Sequence, residues 1–207
     1  MSIKHRSLLL VVLSLSCSRS PGAASGDTAA ARGSSADTVT VGKTKLQAFQ
    51  SKTGSVVVLG FSSVATIPGM YGAQTEIEAR EVTDASTDAR QSGLGVEVKE
   101  SGTLERKATS YVDYDELDAL LRGIDYITRI DRNPTRLANF QADFTTRGNL
   151  EVSTFSTEDG KTLVALKAGT IGGASAYYPL SALPQIRTAV TNAKALLDSI
   201  RPAAGAK

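Results

Sequence analysis

The run VDYDELDALLRGIDYITRI at residues 112–130 restricts the folds open to this chain more than any other segment. Leu117, Leu120, Leu121, Ile124 and Ile127 recur at three- and four-residue steps, which gathers them on one face of a 3.6-period helix. That stripe must be covered by the rest of the fold. Asp113 is the expected N-cap with Glu116 three residues on, and acids in a first turn suit the positive end of the helix dipole. Asp118 with Arg122, and Asp125 with Arg129, are acid-before-base pairs at four-residue spacing. They predict a wet outer face and are worth only a few tenths of a kcal/mol each.

Strand patterns flank this helix on both sides. Residues 39–49 read as a short strand and a helical turn. Residues 55–67 (SVVVLGFSSVATI) are rich in β-branched residues and bounded by Gly54 and Pro68-Gly69, which predicts a strand. Turn chemistry follows at 68–72. In 75–82 (TEIEAREV), Ile77 and Ala79 alternate with Glu76, Glu78 and Arg80; Val82 breaks the parity, which predicts a bulge or twist near Glu81. A polar loop at 83–92 leads to 93–100, with Val96 and Val98 inward, and then to a strand at 106–112. Beyond the helix, Pro134 acts as a stop. Residues 137–147 alternate, with Ala138, Phe140, Ala142 and Phe144 on one face. Strands at 150–156 and 162–168 are joined by Glu158-Asp159-Gly160-Lys161, a strong hairpin signal. A strand at 174–178 precedes a last helix with Ser181 as expected N-cap and Pro184 in its first turn. Its stripe is Leu183, Ile186, Val190, Ala193, Leu197 and Ile200.

The two halves resemble each other. A shift of 66 residues lays Tyr111 on Tyr177, Leu117 on Leu183, Leu120 on Ile186 and Ile124 on Val190. The strands before, VEVKESG and LVALKAG, match with one more residue of shift. The expected class is α+β: an antiparallel sheet of about eight strands with two amphipathic helices, read as a duplicated ββββα unit or as two independent strand-to-helix units of similar pattern.

The chain ends have a different character. MSIKHR is a short positive region, and residues 7–16 (SLLLVVLSLS) form an apolar run of signal-peptide length, so residues 1–17 read as an export leader. Leu13-Ser14-Leu15-Ser16-Cys17 resembles the lipobox of bacterial lipoproteins, departing from it at Ser14. The resemblance implies lipidation at Cys17 and attachment to a membrane. The alternative is ordinary cleavage near Gly22-Ala23-Ala24-Ser25, which discards Cys17. Residues 18–38 are nearly all small or polar and cannot bury enough surface to offset their ordering entropy, so they read as a flexible linker. A single domain is expected over 39–202 and a disordered tail over 203–207. The location implied is the periplasm or the outer membrane as a lipoprotein, or alternatively secretion.

Charge and reactive residues narrow the functions. The formal charge of +2 includes Lys4, Arg6 and Arg19 in or beside the leader; without them 20 bases face 21 acids. That leaves no concentrated basic face for nucleic acid. The one His is His5 and the one Cys is Cys17. A domain beginning after them has no imidazole or thiol, which excludes Ser-His-Asp and Cys-His catalysis, Cys/His zinc sites and disulfides. No phosphate loop or EF-hand pattern occurs, so no cofactor or metal is called for. Asp113, Asp115 and Glu116 are the candidate catalytic carboxylates, although capping and the helix dipole are the better account of acids in a first turn. Tyr71, Tyr111, Tyr114, Tyr177 and Tyr178 are candidates to line a ligand groove, with Met70 and Tyr71 on a recognition loop; the better account is that half-buried tyrosines seal the core edge and that 68–72 is a tight turn.

The runs GMYG at 69–72, YVDYDELDALLRGIDYI at 111–127 and AKALLDSI at 193–200 resemble those of exported bacterial proteins of unassigned activity. The resemblance implies export and assigns no activity or site residue. Two functions follow. The first is a non-enzymatic cell-envelope module that binds a protein or a small apolar ligand. The second is a carboxylate-dependent hydrolase acting on envelope glycans, which needs two carboxyls facing one another across a cleft.

Overall fold

The computed structural model describes residues 43–130 and 134–201. The leader, Cys17, the linker at 18–38 and the tail at 203–207 lie outside the described residues. The elements run α1 (Lys45–Gln50), β1 (Val57–Pro68), β2 (Gln74–Asp84), β3 (Arg90–Glu100), β4 (Arg106–Asp113), α2 (Leu117–Thr128), β5 (Gln141–Thr145), β6 (Leu150–Ser156), β7 (Thr162–Ala168), β8 (Ala174–Pro179) and α3 (Leu183–Ile200). Single 3-10 turns at Met70–Gly72, Tyr114–Glu116 and Leu180–Ala182 complete the described structure. The class is α+β, and the eight strands are divided into two antiparallel sheets ordered β1-β2-β3-β4 and β5-β6-β7-β8. Local hairpins explain both orders, since each strand pairs with its sequence neighbour.

The repeated unit is visible in the backbone. Each half is four strands, a 3-10 turn and a helix. The turns begin at Tyr114 and Leu180 and the helices at Leu117 and Leu183, so the shift of 66 holds through them. It also holds along the last strand, where inward Ser110 corresponds to Ala176. Their partners Val96 and Leu166 are 70 apart, so the earlier strands need four more residues of shift rather than one. The sequence match of VEVKESG to LVALKAG set inward Val96 on Leu163, which is only half-buried.

Each long helix covers the sheet of the other half: α3 lies on β1, β2 and β3, while α2 lies on β5 and β6. Gly123 of α2 makes this approach possible, because a Cβ there would come within 2.5 Å of the Phe144 ring on β5. Inward residues of both sheets and the stripes of both helices merge into one core. At its centre, Ile77 and Val96, Leu150 and Leu166, Leu120 and Ile124, and Ile186 and Val190 surround a void of only about 10 Å³. Interiors packed to that density tolerate little change in volume.

Four local expectations are corrected. Helix α2 starts at Leu117, and Asp113 belongs to β4 and does not cap it. Ser181 lies in a 3-10 turn, and no side chain caps α3. Val82 causes no bulge in β2, whose pairing to β3 runs unbroken from Gln74 to Thr83. It is buried on the opposite parity from Ala79, outside the main core, on strands contacted by α1. The irregularity sits in β1 instead, between Ser63 and Ala65. The acids of α2 also choose partners outside their own helix: Asp125 receives Arg187 Nε at 2.5 Å and Asp118 lies 3.9 Å from Lys194, both on α3.

Asp84 gathers the β1 start, the β2–β3 turn and the end of α1. Its Oδ1 accepts from Ser55 Oγ at 2.6 Å, Ser86 Oγ at 2.6 Å and Ser86 N at 2.9 Å, and Lys52 Nζ lies 3.0 Å from Oδ2. The serine and lysine donors, Ser55 foremost, hold this carboxyl well below its ordinary value of 3.8. A depressed folded-state pKa contributes stability that is complete above the ordinary value and is lost as pH falls below it, because the unfolded chain then takes up a proton the folded carboxyl refuses. Urea midpoints at pH 6 and pH 3 should therefore differ more for the wild type than for Asp84→Asn.

Candidate functional site

The candidate acids sit where β4 turns into α2, and each is engaged. Asp113 is 2% exposed; it accepts from the backbone N–H of Lys45 at 2.8 Å and of Leu46 at 3.0 Å, and Arg147 Nη1 lies 3.0 Å away. It thus serves the free N–H groups of α1, where an anion is favoured. Glu116 accepts from Arg147 N at 2.8 Å through Oε1, while its Oε2 is buried with no partner among the described residues. Asp115 pairs with Lys45 Nζ at 2.8 Å, and that donation lowers its pKa. A general acid needs a carboxyl that keeps its proton near neutrality, the opposite shift. The three carboxylates brace α1 and the Arg147 turn, and they do not face one another across an open cleft. The polar depression beside them, about 450 Å³, is lined by residues of both signs, with Lys45 paired to Asp115 and Arg90 to Glu81. Among the described residues no group of three or more His, Cys, Asp or Glu side chains converges for a metal ion.

The five tyrosines are dispersed, and no single groove collects them. Tyr178 points into the core with its hydroxyl donating to Thr75 Oγ1 at 2.7 Å, and burial raises its pKa. Tyr111 faces the outer side of the first sheet, where its hydroxyl accepts from Arg80 Nη1 at 3.2 Å and the guanidinium lies 5.2 Å from its ring centre. Gly95 leaves room for that crossing, since a Cβ there would meet Arg80 Nε at 2.5 Å. Tyr114 donates to Asp198 and lies under the Arg201 guanidinium, 3.6 Å away, which ties β4's end to the last turn of α3. Three of the five are therefore structural.

Tyr71 and Tyr177 remain, exposed by 78% and 39%. The turn carrying Tyr71 closes tightly, Gly69 N donating to Ala73 O at 2.8 Å and Ala73 N to Met70 O at 3.1 Å. It is seated on β8: a Cβ on Gly69 would come within 3.1 Å of the Tyr177 carbonyl oxygen. Tyr71 itself has φ 59° and ψ 27°, a left-handed conformation that costs a bulky side chain of order 1 kcal/mol or more. Tyr177 projects from the outer face of the second sheet and meets Phe155 edge to face at 6.3 Å between ring centres. Phe155 in turn borders a shallow depression of about 370 Å³ that includes Phe140, Gln141 and Ser156. The turn that carries Tyr71 packs against β8, the strand that carries Tyr177. The sequence reading did not single out Phe155. Its signal was an aromatic on the outward parity of β6, where Glu151 and Ser153 are the other members.

No protein-family model, no curated protein and no solved structure matches the chain.

Proposed function

We propose that this chain is an exported cell-envelope protein that binds without catalysis, presenting Tyr71, on the turn seated against β8, together with the Tyr177 and Phe155 pair to a protein or a small apolar ligand. The observation that carries the reading is Tyr71. An aromatic ring held in left-handed backbone and left mostly in solvent adds little to the fold, and strain of that kind gathers at sites of recognition. Aromatic anchors also dominate binding energetics where they cluster. The leader, the lipobox-like Cys17 and the small-residue linker support a tethered location in the periplasm or at the outer membrane, with secretion as the alternative, and the charge balance gives no support for nucleic acid as a partner. The hydrolase reading draws no support from Asp113, Asp115 and Glu116, which are occupied in bracing the fold.

The test is a photo-crosslinking residue placed at Tyr71, at Phe155 and, as a control, at Glu78 on the outer face of the first sheet. In envelope extracts, discrete adducts are expected at the first two positions and none at Glu78; adducts spread equally over all three would overturn the reading. For a ligand so identified, Tyr71→Ala with Tyr177→Ala should weaken binding by roughly 30-fold or more, the scale of a hot-spot anchor, while the melting temperature changes little because both side chains are exposed.

A further inference from the structure

We infer that the first half of β1 pairs with the same segment of a second copy of this chain, antiparallel and two-fold about Leu59. β1 is an edge strand of the first sheet, 12 residues long. Exposed edges are ready templates for another strand, and proteins normally blunt them with charges, prolines or bulges. Here those devices protect only one half: the irregularity at Ser63/Ala65 and Pro68 at the end. Among the described residues nothing pairs with the other half, which is apolar, with Val56, Val58, Leu59 and Phe61 exposed by 70%, 55%, 41% and 68%. No charged residue occurs anywhere from Thr53 to Thr75.

The backbone alternation selects the pairing. Ala85 N donates to Val56 O at 2.9 Å, so Val56 turns its polar groups toward β2. In an antiparallel ladder that assignment alternates. Val58 and Gly60 therefore also serve β2, and Val57, Leu59 and Phe61 aim both N–H and C=O at the open edge. A two-fold axis at Leu59 sets Leu59 against its own copy and Val57 against Phe61 of the other chain, each pair exchanging two hydrogen bonds. All three residues lie on one face, opposite Asp84, Val82 and Arg80 on β2. The joined sheet would carry Leu59 beside Leu59 at its centre. On each side Phe61, whose β2 partner is Arg80, would meet Val57, whose β2 partner is Asp84, while the central pair is flanked by Val82 from both chains. The uncharged segment is its own complement in register and hydrogen bonding, with apolar residues opposed to apolar residues in every pair, which favours a second copy over a foreign strand, and closed two-fold pairs are the commonest assembly.

The test uses the full chain in a Cys17→Ser background. Leu59→Cys should form a disulfide dimer under mild oxidation, since directly opposed residues of a hydrogen-bonded pair stand about 5.5 Å apart at Cα, within disulfide range. Ser62→Cys on the same strand, away from the axis, should not. In sedimentation the parent chain should be dimeric and Leu59→Lys monomeric, with unchanged melting temperature showing that the fold is intact. A monomeric parent at high micromolar concentration, a dimer that survives Leu59→Lys, or capture of Leu59→Cys by a foreign envelope protein in place of its own copy would each overturn the inference. None of these outcomes depends on the Tyr71 face.

Discussion

Leu120→Ala is expected to destabilise the protein by about 3 to 5 kcal/mol, seen as a lower urea midpoint with an unchanged slope. Leu120 is fully buried and belongs to the wall of the central void, with both sheets and both long helices around it. Removing its side chain leaves a cavity that four independent elements would have to move to fill, so the upper part of the usual range applies. The same geometry makes a second demand. Because the core is shared, circular dichroism of the backbone and the fluorescence of tyrosines in either half should report one transition in wild type and variant alike. Separate transitions for the two sheets would contradict a common core.

Asp113→Ala is expected to cost about 3 kcal/mol, because it strands two backbone N–H donors and leaves Arg147 without its buried partner. The effect should be local before it is global: amide exchange over Lys45–Gln50 should quicken more than exchange in the central strands, since α1 loses the anion that receives Lys45 N and Leu46 N. Asp115→Ala is the informative contrast. Its pair with Lys45 is half exposed on both sides, and exposed pairs contribute between nothing and about 1 kcal/mol. Equal losses for the two substitutions would show that Asp113 is not the brace its contacts describe.

These contacts also explain which parts of the fold could be read from residues alone. β7 runs over the same residues that alternation and the hairpin signal indicate, because register and local turn chemistry determine it without distant partners. The helical stripes were equally legible, apart from Ile200, which is 46% exposed. The start of α2 was not. Asp113 followed by Glu116 satisfies the local rules for a helix beginning, yet the carboxylate is claimed by α1, 67 residues away in the chain, and no local rule registers that competition. The strand expected over 137–147 shrinks to Gln141–Thr145, since alternation marks a face but pairing sets the length. Val82 follows the same logic: its parity signals a bulge only if one face is buried, and α1 buries part of the other. A single tyrosine groove conflicts with strand geometry. Tyr177 and Tyr178 are adjacent in a strand, so they must face opposite ways. The candidate surface depended on positions that no pattern isolates, above all the left-handed backbone at Tyr71.

The way the two long helices lie across each other's sheets bears on how such a chain could have arisen. A half-length ancestor built on this plan would have left its own sheet uncovered and its helix without a seat, so it could have been stable only as an intertwined pair of identical subunits. Joining two such genes head to tail would have turned an association between molecules into one within a single molecule, and each helix would then have been free to specialise for the particular sheet it meets.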